Sequence, residues 1–126
     1  MTTTEKALSA PRRAAERLVE YVNSEQFMSV GDLFAEDAVW LTPNNGPTIT
    51  GRERIREHYN ALISPMKPKI RIATYLEQGR ECTFALEAAQ PDGSYRLGAM
   101  DHFTLNDEGL IERFVVYVRG GPSTSE

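Results

Sequence analysis

Residues 95–105 read YRLGAMDHFTL, and every second residue from Tyr95 gives Tyr95, Leu97, Ala99, Asp101, Phe103 and Leu105. A hydrophobic period of two belongs to a β-strand, whose alternate side chains share one face, so this face is expected to turn toward a core. Asp101 interrupts it with a carboxylate. The other parity, with Arg96, Gly98, Met100, His102 and Thr104, is more polar, so sliding the register would bury worse residues without rescuing the aspartate.

The same period extends on both sides. Strands are expected over about 69–77, 81–90, 95–106 and 110–119, separated by the turn-forming QG, PDG and NDEG. The last of them carries Phe114, Val116 and Val118 on one parity, with Glu112 near its start at a watery rim. Upstream the period is helical. Pro11 suits a first turn, and Ala14, Leu18 and Val22, flanked by Ala15 and Val19, form an apolar stripe over about 11–23, with Tyr21 at its edge. SVGDLFAEDA (29–38) reads as a short helix carrying Val30, Leu33 and Phe34, with Asp37 as a structural residue at its junction with a strand AVWLT, which stops at Thr42-Pro43. PNNGPTIT (43–50) reads as a loop, and Thr50 with Glu53 as a capping box for a third helix that presents Ile55, His58, Tyr59 and Leu62.

That order predicts an α+β fold: a curved antiparallel sheet with three N-terminal helices, enclosing a cone-shaped cavity. One domain over residues 10–119 is expected, with 1–9 and 120–126 as flexible ends. The residues expected to point inward include Leu18, Trp40, Thr42, Ile55, His58, Tyr59, Phe84, Leu86, Asp101, Phe103, Phe114, Val116 and Val118. An apolar, aromatic wall with a few convergent polar groups is how small-molecule pockets are lined.

The composition narrows the function classes. A chain of 126 residues, 40% hydrophobic and 25% charged, with a formal net charge of -4, lacks the clustered Lys and Arg of a nucleic-acid surface. No window approaches the ~20 apolar residues of a membrane span, and the amino end carries no apolar leader, so a cytoplasmic protein without nucleic-acid or membrane partners is expected. The single cysteine, Cys82, shares the apolar parity of Phe84 and Leu86 and reads as packing. No His, Cys or carboxylate spacing suggests a metal site, and no cofactor is expected.

The segments LFAEDAVWLTP (33–43), GRERIREHY (51–59) and MDHFTLNDEGLIERF (100–114) resemble the ketosteroid isomerase and SnoaL-like members of the nuclear transport factor 2-like superfamily, over about Arg17 to Val118. The resemblance implies that Asp101 matches the isomerase aspartic acid that stays protonated and donates a hydrogen bond to the dienolate oxygen. The second donor of that family, a tyrosine, falls at Leu18, and its general base at Thr42, just before Pro43. Tyr59 matches a supporting tyrosine, while His58 replaces an apolar aromatic. Allylic proton transfer needs a base within reach of the substrate carbon, so steroid isomerisation is not expected.

The expectation is therefore a small, mostly apolar carbonyl compound bound in the cone and acted on by an isomerase, lyase or cyclase, with Asp101 and His58 as catalytic residues. Leu18, Trp40, Thr42, Tyr59, Phe84, Leu86, Phe103, Phe114, Val116 and Val118 are the candidate substrate-binding residues. A non-catalytic binding protein and a dimeric accessory domain with a filled cone are the alternatives. A one-layer sheet leaves an outer face to cover, so a homodimer joined through His102, Val115 and Tyr117 is expected.

Overall fold

A computed structural model describes residues 8–43 and 45–118. Helix α1 (Ala10–Asn23) starts where the Ser9 hydroxyl accepts the Arg12 N–H and Pro11 occupies the first turn, and it buries Pro11, Ala15, Leu18 and Val22. A 3₁₀ helix (Phe27–Leu33) leads into β1 (Phe34–Leu41), then β2 (Thr48–Thr50), helix α2 (Arg52–Ile63), β3 (Ile70–Gln78), β4 (Glu81–Ala89), β5 (Tyr95–Leu105) and β6 (Ile111–Val118). These strands form one six-stranded sheet in the order β2-β1-β6-β5-β4-β3. The ends expected to be flexible lie, apart from Leu8 and Ser9, outside the described residues.

The expected meander is present from β3 to β6, but β1 runs parallel to β6, which makes the sheet mixed. Three local expectations are corrected. First, the helix predicted over 29–38 is the 3₁₀ turn, and it ends at Leu33, because Phe34 already pairs with Ile111. Second, the register then shifts before Val39, leaving Glu36 and Asp37 exposed on a bulged stretch of strand. Third, Thr50 caps nothing: it is paired with Val39 as the last residue of β2, in a segment predicted to be loop. Gly51, at φ 101, makes the turn into α2 instead and donates its N–H to Ala38 O at 2.8 Å. Glu53 pairs with Arg56 rather than with the helix start.

A further irregularity reorients β5. Leu86 faces Ala99, but Glu87 faces Leu97, so Gly98 is an extra residue in the ladder. One inserted residue reverses the parity beyond it. Tyr95 and Leu97, predicted to share the face of Asp101, therefore lie on the convex side, where the Arg71 guanidinium covers the Tyr95 ring at 3.8 Å and pairs with Glu87 at 2.9 Å. Another shift between Thr104 and Leu105 buries Ile111 and leaves Glu112 exposed.

Aromatic rings fill one end of the concave side. Trp40 stacks on Phe114 at 4.8 Å, Phe103 lies 6.0 Å from Phe114, and Phe84 meets Phe103 edge-on at 5.8 Å. All four are buried. Such pairs add about 0.5–1.5 kcal/mol each to the burial of their area. Cys82 is buried beside them, and its thiol is pushed up to about 12, mainly by that burial. It is packing, as its parity predicted.

Candidate functional site

The strand pairings arrange the concave face in rows. Ile70, Ala88 and Arg96 form the outermost; Ile72, Leu86, Ala99 and Val118 the next; Tyr75, Phe84, Asp101 and Val116 the third; Cys82, Phe103, Phe114 and Trp40 the fourth. The fourth row is closed by its rings. Above it, between the sheet and α2, a cavity of about 270 Å³ remains, bounded at its mouth by Leu62, Met66, Pro68 and Val118. Its walls are almost wholly apolar.

Asp101 is the exception. Its neighbours across the ladder, Phe84 and Val116, offer its side chain no donor, and its carboxyl makes no hydrogen bond with the described residues; Oδ1 is fully buried and unpartnered. The Asp101 backbone, by contrast, is satisfied: its carbonyl accepts the Thr83 hydroxyl at 3.1 Å. Burial disfavours the carboxylate and raises its pKa from 3.8 to about 7. Near neutral pH much of the population is a carboxylic acid, which can donate. Tyr59 lines the same cavity; burial first, then the nearby Asp101 carboxyl, raises its hydroxyl above the ordinary phenol range, so it is a neutral O–H. Asp101 and Tyr59 thus bring two hydroxyl donors to the lining of an apolar space.

The candidates from the sequence divide accordingly. Trp40, Tyr59, Leu86, Phe114, Val116 and Val118 line the cavity with Asp101. Leu18, Phe84 and Phe103 are buried in the filled core outside that lining. Thr42 accepts the Trp40 indole N–H at 3.0 Å, which fixes the ring rather than presenting a hydroxyl to the cavity. His58 is half-buried, packs edge-on against Trp40 at 5.3 Å, and neither lines the cavity nor hydrogen-bonds to Asp101. His102 lies on the convex face with its Nε2 2.9 Å from Glu81 Oε1. Among the described residues no three His, Cys, Asp or Glu side chains converge as metal ligands would.

Sequence reasoning missed the mouth. Leu62 was visible one turn beyond Tyr59, but Ile63, Met66 and Pro68 belong to a helix end and its loop, where no period marks an inward side. Gly98 was assigned to the polar parity and lines the cavity because of the bulge.

The profile of the SnoaL-like domain family matches residues 15–114. No curated protein matches the chain by sequence. Among solved structures, the chain is similar to SalBIII, an epoxide hydrolase/cyclase-like enzyme of pyran ring formation in the polyether salinomycin (TM-score 0.70, 22% identity, 94% of each chain covered). It is similar to a Mycobacterium tuberculosis protein in complex with estradiol-17β-hemisuccinate (TM-score 0.70, 15% identity, 86% of this chain and 93% of that one). A Silicibacter pomeroyi protein with a cystatin-like fold superposes with a TM-score of 0.67 at 22% identity, over 84% of this chain and 73% of that one. At these identities the likeness is one of fold.

Proposed function

Because the chain belongs to the SnoaL-like domain family, we propose that it binds a small, mostly apolar carbonyl compound in the cone and polarises the carbonyl through the protonated Asp101 and Tyr59 hydroxyls. The observation that carries this reading is the buried Asp101 carboxyl, unpartnered at Oδ1, in a residue that lines an otherwise apolar cavity. A buried polar group without a partner costs about 1–3 kcal/mol, and a ligand acceptor placed against it recovers that cost. Two donors aimed at a carbonyl oxygen stabilise the charge that develops there in enolisation, dehydration or ring closure, which supports isomerase, lyase or cyclase chemistry. Asp101 is also the one lining group whose pKa lies near neutrality, so a proton exchanged within the cavity passes through it. The volume, about 270 Å³, sits just under the roughly 300–1,000 Å³ of drug-sized pockets, which favours one or two rings or a single chain. Of two proteins with this fold, one is an epoxide hydrolase/cyclase-like enzyme and the other is in complex with a steroid ester, which supports a mostly apolar ligand, though this cavity favours a smaller one.

The test is infrared spectroscopy of undecan-2-one labelled with ¹³C at its carbonyl. Bound to the protein at a pH below 7, its carbonyl band moves to lower frequency than in hydrocarbon solvent, and Asp101→Leu removes most of that shift. A band at the hydrocarbon position in the wild-type complex overturns the proposal. We also propose that a second copy of the chain covers the convex face, where Tyr117, Met100, Leu97 and Tyr95 are exposed.

A further inference from the structure

We propose that the ligand is an amphiphilic anion: its carbonyl end meets Asp101 and Tyr59, and its far end carries a carboxylate held by a cationic rim made of Arg96 and Lys67. This rests on the carbonyl-binding reading above and extends it to the other end of the molecule.

The extra residue at Gly98 decides which side of β5 carries Arg96. By simple alternation Arg96 and Asp101, an odd number of positions apart, face opposite sides of β5. The bulge adds one residue, and Arg96 pairs with Ala88, which lines the cavity, as Ala88 in turn pairs with Ile70, which also lines it. Cross-strand partners share a face. Arg96 is thereby set on the concave side, in the outermost row, two rows above Asp101 on the same strand. Arg96 is exposed and stands beside the lining residues rather than among them, so its guanidinium stays in water at the rim.

Lys67 supplies the second cation. It sits between Met66 and Pro68, both at the cavity mouth, in the turn where the Met66 and Lys67 N–H groups both reach Ile63 O at 3.0 Å. It holds φ 43, a left-handed conformation that a lysine adopts only against some strain. Neither Arg96 nor Lys67 makes an ion pair or side-chain hydrogen bond among the described residues, whereas neighbouring Lys69 is engaged by Glu25 and by Asn23 O. In a chain with net charge -4, two uncommitted cations, Lys67 flanked by lining residues Met66 and Pro68 and Arg96 paired with lining residue Ala88, are a local reversal of sign. They attract an anion and leave its apolar body to the cone.

The fold also sets a length. At about 3.3 Å per residue, Arg96 and Asp101 are separated by roughly 15 Å along β5, less the kink of the bulge. A ligand spanning both has its carbonyl and its acid separated by an apolar chain of that order, shortened by the reach of the arginine side chain. A short keto acid with adjacent groups does not fit this spacing.

The experiment compares 10-oxoundecanoate with undecan-2-one, which has the same methyl ketone and no acid, by calorimetry and by quenching of Trp40, the only tryptophan and a wall of the cavity. Below pH 7, in low salt, the keto acid binds the wild type about fivefold tighter than it binds Lys67→Ala/Arg96→Ala, the size expected for two partly exposed ion pairs. The ketone binds both proteins equally. Salt at about 0.5 M removes most of the difference, because exposed charges are screened, and Arg96→Glu weakens the keto acid further while sparing the ketone. Both residues are exposed, so the variants keep the fold, which circular dichroism checks. Ketone binding with equal keto acid affinity in wild type and double variant overturns the rim and leaves the carbonyl site standing. Failure of the wild type to bind the ketone overturns the carbonyl site and the rim together.

Discussion

Replacing Asp101 by asparagine isolates the energetics of the buried carboxyl. The side chains are nearly isosteric, so packing is conserved, but asparagine does not titrate. In the folded protein the Asp101 pKa is raised from 3.8 to about 7 by burial. Between those values the folded state holds a proton that the unfolded state has released, so the unfolded state binds fewer protons and stability falls as pH rises. The contribution is fully present below about pH 4, is lost progressively up to about pH 7, and changes no further above it. At about 1.4 kcal/mol per tenfold change, the loss at pH 8 is on the order of 4 kcal/mol. Urea unfolding of wild type and Asp101→Asn over pH 4 to 8 measures it. All other carboxylates are common to both proteins and cancel in the difference. The variant is expected to match the wild type within about 1 kcal/mol near pH 4 and to exceed it by several kcal/mol at pH 8, with equal denaturant slopes. Asp101→Leu follows the same trend, since an apolar side chain of similar size strands no partner. A stability difference that stays flat across this range refutes the buried neutral acid, and with it the donor assigned to the ligand carbonyl.

Three other expectations test the frame around the site. Asn23 at the end of α1 donates to Ile70 O at 2.9 Å and accepts from Ile70 N at 2.7 Å, binding the first residue of β3 as a neighbouring strand would; Asn23→Ala is expected to cost about 1–3 kcal/mol in urea unfolding. A Cβ on Gly31 would stand 2.8 Å from the Arg56 side chain, which donates to Met28 O and pairs with Asp32 at 2.9 Å, so Gly31→Ala is expected to cost about 1–3 kcal/mol and to lower the melting temperature. On the convex face, sedimentation at micromolar concentration should show a dimer in the wild type and a monomer in Tyr117→Asp, which places a charge on the exposed apolar patch; a monomeric wild type would count against the proposed pairing.

Periodicity is a local property, and what it controls was legible in the chain. The stripe of α1, the alternation of β3 to β6, their turns, and the single carboxylate on the buried face of β5 follow from residue type and spacing, because each side chain's direction is set by its own few neighbours. So Asp101 was visible as an anomaly before any tertiary contact was known. The bulge at Gly98 was not, since an extra residue in a ladder is defined by the partner strand. That one feature moved Tyr95 and Leu97 outward and Arg96 inward. The parallel pairing of β1 with β6 and the capture of Thr48–Thr50 as β2 likewise depend on strands distant in sequence. The division of the inward residues is decided by volume: Leu18, Phe84 and Phe103 close one end, Trp40 bounds the cavity from that filled end, and Tyr59 and Val116 border the open space above it. Alternation specifies the face a side chain takes, but how much of the enclosed space the side chains fill depends on the separation and curvature of all the packed elements together. The sequence by itself determined the elements and the buried acid; the tertiary structure decided the register at the bulge, the cavity, and which residues border it.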